Sequence, residues 1–375
     1  MNAVPVNPLG QVARSEAQRL FGAFQSWGAA PVDAAILQPA GTLLDLYGED
    51  IRARAYVTQD PVQGEMMLRP DFTVPVVQAH MAGGAEPARY CYMGEVFRKQ
   101  EGGDGARASE YLQVGYEVFD RDQPLRADAE VFALFARLLA GKGVKPSTGD
   151  IGILRAAVAG LPTSDVRKAA LLRHLWRPRR FRALLERYAG RAPLPTGRSA
   201  LLDRLAKGAP IESTAPHIGL RSRAEIDARL ARLAEDAKTP AIPTALVDGV
   251  EALLNVADTA PRALAQMRIH AATMPWIAPS LDLFEQRLTV LSAHGIDVDT
   301  LEFEASYGRT TLEYYDGFVF GFAAEGRDDL PVVASGGRYD ALTAVLGADT
   351  GDGRSIPAVG GVIRPALLAE LEVGA

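Results

Sequence analysis

Residues 111–119 read YLQVGYEVF, and the alternation within this stretch decides how the chain is read. As a strand with period two it puts Leu112, Val114, Tyr116 and Val118 on one face and Gln113, Gly115 and Glu117 on the other. The first face is predicted to join the core. On the second, Gly115 leaves an open floor between an amide and a carboxylate whose Cα atoms would lie ~13 Å apart at about 3.3 Å per residue. That spacing suits a small polar ligand lying along the strand, although alternation alone leaves open whether this face lines a pocket or meets solvent.

Working outward, Val12, Leu20, Phe21, Phe24 and Trp27 fall on helical spacing before Gly28 and predict an amphipathic opening helix. Residues 54–60, 65–69 and 88–98 are short, bounded by Pro or Gly, and rich in residues that suit a pleated surface. From Ala127 to Leu139 the positions Val131, Phe132, Phe135, Leu138 and Leu139 return to a helix, ended by Gly141. Residues 155–293 read as almost wholly helical, with breaks at Pro178, Gly190, Pro210, Pro240, Pro261 and Pro275. Strands then resume at Leu301–Ser306, Arg309–Tyr315 and Phe318–Phe322, with Asp316-Gly317 suited to a tight hairpin turn. The expected fold class is α+β, with sheet-rich ends (1–154 and 295–375) enclosing a helical insertion (155–294).

Composition narrows the function classes. The chain has 375 residues, 48% hydrophobic and 23% charged, which describes a globular chain of one large or two modest domains. Forty basic against forty-six acidic residues give a net charge of −6, a poor footprint for gripping a nucleic-acid backbone, so no nucleic-acid partner is expected. The local exception is an arginine-rich run containing Arg167, Lys168, Arg173, Arg177, Arg179, Arg180, Arg182, Arg187 and Arg191, interleaved with apolar residues. It reads as an amphipathic helical pair with a solvated arginine face. His80, His174, His217, His270, His294 and the single Cys91 supply no metal-ligand spacing, so no metal or cofactor is expected. One cysteine excludes an intramolecular disulfide and suits a reducing compartment. The first residues lack a basic start followed by an apolar run, and no window approaches the roughly 20 apolar residues of a membrane span, so a cytoplasmic location is expected.

RYCYMGEVFRKQEGGDGARASEYLQVGYEVFD, residues 89–120, resembles motif 2 of a class II aminoacyl-tRNA synthetase of the histidyl type. In that family two antiparallel strands joined by a mobile loop form the floor of the site, and Glu101–Ala106 would be the loop. LRPDFT (68–73) is similar to the family's amino-group-binding segment, and ILQPAG around Pro39 stands where motif 1 belongs. LEYYDGFVF from Leu312 resembles the histidine-specific tyrosine motif, while SGGRYDAL (335–342) and PAVGG (357–361) match the run into motif 3. The resemblance implies an antiparallel sheet flanked by helices. Residue by residue, it implies that Asp71, Thr73 and Gln113 hold the amino group of a bound histidine, with Gln113 also near its carboxylate. Glu117 and Tyr315 would read the imidazole, Tyr314 would shape the wall, and Arg98 would be the surviving motif 2 arginine. Such roles suit the chemistry, since an ammonium needs acceptors and a carboxylate accepts an imidazole N–H. Asp71 stands where the family more usually has glutamate, a longer reach.

Other departures concern catalysis, because forming an aminoacyl adenylate needs cations aimed at the charge developing on phosphate. Ser109 stands where a second loop arginine, beside Arg107, is common, and Thr310 fills the position of the family's catalytic arginine. Arg309 is one residue away, which on a strand points it to the opposite face. The motif 3 arginine aligns with Leu367, with Pro365 expected to start the last helix and Arg364 no evident substitute. The sequence ends at Ala375, without a further ~100 residues for an anticodon-binding domain. These losses resemble those of the regulatory subunits of ATP phosphoribosyltransferase, synthetase paralogues of histidine biosynthesis. The resemblance implies a non-catalytic histidine sensor that imposes feedback control on a short-form catalytic phosphoribosyltransferase, as a homodimer within a hetero-oligomer. A surviving amino-acid-activating enzyme is the competing reading. The glycine-rich loop at 101–106 and the turn at Asp316-Gly317 are the segments expected to border the pocket and to order around the ligand.

Overall fold

The computed structural model describes residues 8–41, 54–99, 109–194, 196–208, 222–309, 314–349 and 353–374. Its centre is a nine-stranded sheet built from β1 (Ala30–Pro31), β5 (Ala88–Phe97), β6 (Glu110–Phe119), β7 (Val144–Asp150), β8 (Ala257–Thr259), β9 (Glu302–Glu304), β10 (Phe318–Ala324), β11 (Ala334–Arg338) and β12 (Ala358–Ile363). The strand order is β1-β5-β6-β12-β11-β10-β7-β9-β8. Pairing is antiparallel except for β1 with β5 and β7 with β9. A smaller antiparallel sheet carries β2 (Leu37–Pro39), β4 (Gly64–Leu68) and β3 (Val57–Asp60) in that order.

One face of the large sheet is the main core. Helix α1 (Pro8–Ser26) turns Ala13, Ala17, Leu20 and Phe24 inward, whereas Val12 and Trp27, expected on its apolar stripe, are exposed. Arg137 instead covers the Trp27 ring at 4.7 Å. Gly28 ends the helix in a left-handed turn, φ +86°, where a side chain would be strained. Phe24 stacks on Tyr116 of β6 (5.2 Å) and Phe135 (5.7 Å), while Phe132 packs on Phe318, Phe320 and Phe322 of β10. Phe132 and Phe135 belong to α3 (Pro124–Leu138), and α2 (Thr73–Met81) lies earlier, after β4. Burying a Phe side chain contributes about 1.5–3 kcal/mol, so this aromatic row fixes the sheet against its helices.

Residues 151–293 form the helical segment: α4 (Ile151–Ala159), α5 (Asp165–Arg173), α6 (Pro178–Tyr188), α7 (Thr196–Ala206), α8 (Arg223–Lys238), α9 (Thr244–Leu254), α10 (Ala260–His270), a 3-10 turn at Pro275–Ile277, and α11 (Ala278–Ala293). Asp150 caps α4 by accepting from Gly152 N (2.8 Å), and Ser222 with Glu225 forms a capping box on α8. Pro178, Pro261 and Pro275 stand in the first turns of α6, α10 and the 3-10 helix, starting elements rather than breaking them, because a first-turn N–H needs no partner. Pro210 falls outside the described residues. Nor is the arginine run wholly solvated: Arg167 is buried, paired with Asp236 at 2.6 Å and donating to Pro240 O, while Arg173, Arg179, Arg180 and Arg182 are exposed.

The C-terminal strands differ from expectation. Residues 305–309 form a turn, not a strand, and 310–313 lie outside the described residues. Asp316-Gly317 is not a hairpin turn. β10 pairs with β7 and β11, which are not its immediate chain neighbours across that dipeptide, and Asp316 instead accepts Asp340 N (3.1 Å) and Ala341 N (2.6 Å) at the start of α12 (Asp340–Asp349). Its carboxylate thus satisfies helix-end donors, as an aspartate preceding a turn often does. Pro365 opens the last helix, α13 (Pro365–Gly374).

Candidate functional site

The second face of β6 is covered, not solvated: Gln113 and Glu117 are each 1% exposed. Glu117 is held by hydroxyl donors from separate elements. Thr73 at the start of α2 donates to its Oε1 at 3.1 Å, Tyr92 of β5 donates to the same oxygen at 3.0 Å, and Tyr339 donates to Oε2 at 2.7 Å. Burial pushes the Glu117 carboxyl up to about 7, a rise that these hydroxyls restrain and that nearby Asp71 increases. Burial also drives the hydroxyls of Tyr92 and Tyr339 well above the ordinary tyrosine value, so both stay donors.

Register explains how this group fits. Glu117 pairs with Gly360 on β12 and Tyr90 on β5, and Tyr92 pairs with Gly115. A Cβ at Gly115 would sit 2.1 Å from the Tyr92 ring, so only glycine lets that phenol lie across the strand towards Glu117. Phe72 stacks on the other side of Tyr92 with ring centroids 4.4 Å apart. Asp71 is buried just before α2, with Oδ1 accepting Val74 N at 3.4 Å. Gln113 pairs with Gly94, and its buried Oε1 has no partner among the described residues.

Tyr314 and Tyr315 pack edge-on at 4.6 Å, and Tyr314 shares a hydrogen bond with Thr73. Tyr314 and Tyr315 also lie 6.1 and 6.5 Å from the Tyr339 ring. Thr73, Gln113, Glu117, Tyr314 and Tyr315 are therefore drawn to one side of the sheet, with Asp71 near enough to raise the Tyr314 hydroxyl. Arg98 sits at the end of β5, where its Nε donates to Pro70 O at 2.7 Å. Arg364 stands near it: burial, with Arg98's charge adding, pushes the Arg364 guanidinium below its ordinary value. Arg364 also donates to Val332 O at 2.7 Å. Arg309 turns away towards the helical segment, its Nε donating to Leu175 O (2.8 Å) and its guanidinium over Phe181. Arg107, Thr310 and the loop at 101–106 lie outside the described residues.

Two residues of the cluster escaped sequence reasoning. Tyr92 shares the Gly115 face by the same period-two alternation already applied to β6, and extending it to β5 would have found it. Tyr339 lay inside the quoted SGGRYDAL run without a role. Its neighbour Arg338 anchors it from below: Arg338 pairs with Asp128 (2.7 Å) and Asp340 (3.0 Å), and Arg287 of α11 pairs with Asp128 (2.8 Å) and Asp150 (2.6 Å).

Comparisons with known proteins bear on the fold and the family. The family model described as Histidyl-tRNA synthetase matches residues 10–235 and 194–365. Among solved structures, an ATP phosphoribosyltransferase regulatory subunit/histidyl-tRNA synthetase from Bacillus halodurans superposes with TM-score 0.68 at 20% identity, covering 98% of this chain and 80% of that one. A histidyl-tRNA synthetase from a Nostoc species superposes with TM-score 0.63 at 16% identity, covering 100% and 75%. The fold is therefore that of a class II synthetase of the histidyl type, α+β with an antiparallel floor. The curated relatives narrow it further. ATP phosphoribosyltransferase regulatory subunits from Agrobacterium fabrum (33% identical, 92% of this chain and 93% of that one) and Brucella anthropi (31% identical, 88% and 89%) align over nearly their whole lengths. The chain belongs to the family of ATP phosphoribosyltransferase regulatory subunits.

Proposed function

We propose that this protein is a regulatory subunit that binds histidine at Glu117 and conveys it as feedback inhibition to a short-form catalytic ATP phosphoribosyltransferase, without aminoacylating activity of its own. The observation that carries the reading is the buried Glu117 carboxylate, oriented by Thr73, Tyr92 and Tyr339. Three donors leave one of a carboxylate's roughly four lone-pair sites open for an imidazole N–H. Asp71, Thr73 and Gln113 Oε1, which has no partner among the described residues, would supply acceptors for the ligand's ammonium, and Arg98 would meet its carboxylate. Tyr314 and Tyr315 form the wall beside the ring.

The regulatory role rests on the family, whose members carry that name. Arg309, facing Leu175 and Phe181, supports the absence of adenylate chemistry, since charge on a phosphate needs cations aimed at it. The nearness of Arg98 and Arg364 favours the alternative, an amino-acid-activating enzyme, and histidine-driven pyrophosphate exchange separates the two. The partner reading is tested by reconstituting this chain with a short-form catalytic phosphoribosyltransferase and titrating histidine. Inhibition should weaken in Glu117→Gln and Tyr315→Phe while the complex still assembles. Failure of the chains to associate, or identical inhibition in all mixtures, overturns it.

A further inference from the structure

A second concavity lies between the helical segment and the sheet, away from Glu117. It is a cleft of about 580 Å³ bounded by α6, α9, residues 304–309 and strands β10 and β11. Two polar groups in its lining are buried and unsatisfied. Arg309 is 5% exposed, and its Nη2 has no partner among the described residues. Ser335 of β11 is 6% exposed, and its Oγ likewise has none. A buried guanidinium N–H or hydroxyl without a partner is destabilising, more so for the charged group, so each marks a position where a ligand's acceptor or donor is worth most.

The surroundings are cationic on the same side. Pro178, Arg179 and Arg182 of α6 line the cleft; Pro178, in the first turn, has no N–H, but no side chain among the described residues caps the N–H groups that follow, and the positive dipole end suits an anion. Burial holds the Arg309 guanidinium down to about 10, with the positive charge of Arg182 adding to the effect, and an anion would relieve both. Acidic groups share the lining: Glu251 pairs with Arg182 at 3.5 Å, and Glu304 accepts from Ser306. Those carboxylates would repel a second anionic group but suit hydroxyl donors.

We propose that this cleft is a second ligand site, taking a small phosphorylated sugar or nucleotide with its phosphate on Arg309 and the start of α6 and its hydroxyls towards Ser335, Glu251 and Glu304. The cleft lies on the same face of the sheet as Glu117, since Ser335 pairs with Val362 and Val362 with Gly115, but Glu117, Gln113, Thr73 and Asp71 do not line it. Tyr315 borders it and also packs beside Tyr339.

The test is titration calorimetry of the full chain with ribose 5-phosphate, and with inorganic phosphate and ribose separately, at low ionic strength. Ribose 5-phosphate should bind saturably at one site per chain, inorganic phosphate more weakly, and ribose not measurably. Arg309→Gln should weaken ribose 5-phosphate about tenfold or more, as expected for a lost hydrogen bond to a charged group. Arg309 also holds Leu175 O, so a second variant is needed beside it. Ser335→Ala removes only a hydroxyl and should weaken binding severalfold with an unchanged melting temperature. The proposal is overturned if the unmutated chain shows no saturable binding, if inorganic phosphate binds as tightly as the sugar phosphate, or if Ser335→Ala binds with unchanged affinity.

Discussion

Gly360 faces Glu117 across the β6–β12 ladder so closely that a Cβ on Gly360 would stand 1.4 Å from Glu117 Oε2. The oxygen that accepts from Tyr339 thus occupies the space where any other residue would place its first side-chain carbon. Gly360→Ala should push the carboxylate off Tyr339 and lower histidine affinity at least tenfold. Overpacking of a filled site also costs about 1–3 kcal/mol in stability. Calorimetry and urea unfolding of this variant check the two effects separately, and unchanged affinity would show that the carboxylate position is irrelevant to the ligand.

Glu117→Gln keeps the shape but replaces one acceptor by a donor that confronts the surrounding hydroxyls. Histidine affinity should fall roughly ten- to a hundredfold, corresponding to about 1.5–3 kcal/mol for a hydrogen bond to a charged group. The measurement is calorimetric, with histidine as titrant.

Stability should depend on pH through the same carboxyl, whose folded value of about 7 lies above its ordinary 4.5. The folded state holds this proton more tightly than the unfolded state, so between about 4.5 and 7 rising pH favours unfolding, and above 7 the penalty is constant. Compared with Glu117→Gln, the ligand-free protein should lose up to about 3 kcal/mol between pH 4.5 and pH 8, taking 1.36 kcal/mol per pKa unit. Urea unfolding of both proteins at pH 5 and pH 8 tests this. An equal difference at the two pH values contradicts it.

Asp128 is fully buried between Arg287 and Arg338. Removing a buried partner leaves uncompensated charge, so Asp128→Ala should cost about 3–5 kcal/mol. Chemical denaturation measures the loss, and a cost under about 1 kcal/mol would mean that the arginines find other partners.

Much of this was legible in the sequence, for identifiable reasons. Period-two alternation placed Gln113 and Glu117 on one face, and strand β6 realises it with both side chains buried. Helical periodicity located α1 and α3, although Val12 and Trp27 proved exposed because the small residues Ala13 and Ala17 provide the close contact. Composition cues could not show that Asp316 caps α12 instead of turning a hairpin, since Asp-Gly suits either use and only the tertiary partner decides. Arg338 and Asp128 were invisible for a similar reason: an isolated charge carries no periodicity, and their pairing spans 210 positions. Tyr92 was legible but unread.

The Arg287–Asp128–Arg338 junction also bears on how the chain reaches its native state. Its bonds join residues 159 and 210 positions apart, and one arm comes from the last helix of the helical segment while the other comes from the strand beneath Tyr339. Without Arg287, Asp128 keeps Arg338 but loses one of its two partners, so the junction favours docking of the last helix of the helical segment onto the sheet. The junction thereby ties the helical segment to the sheet that carries Glu117.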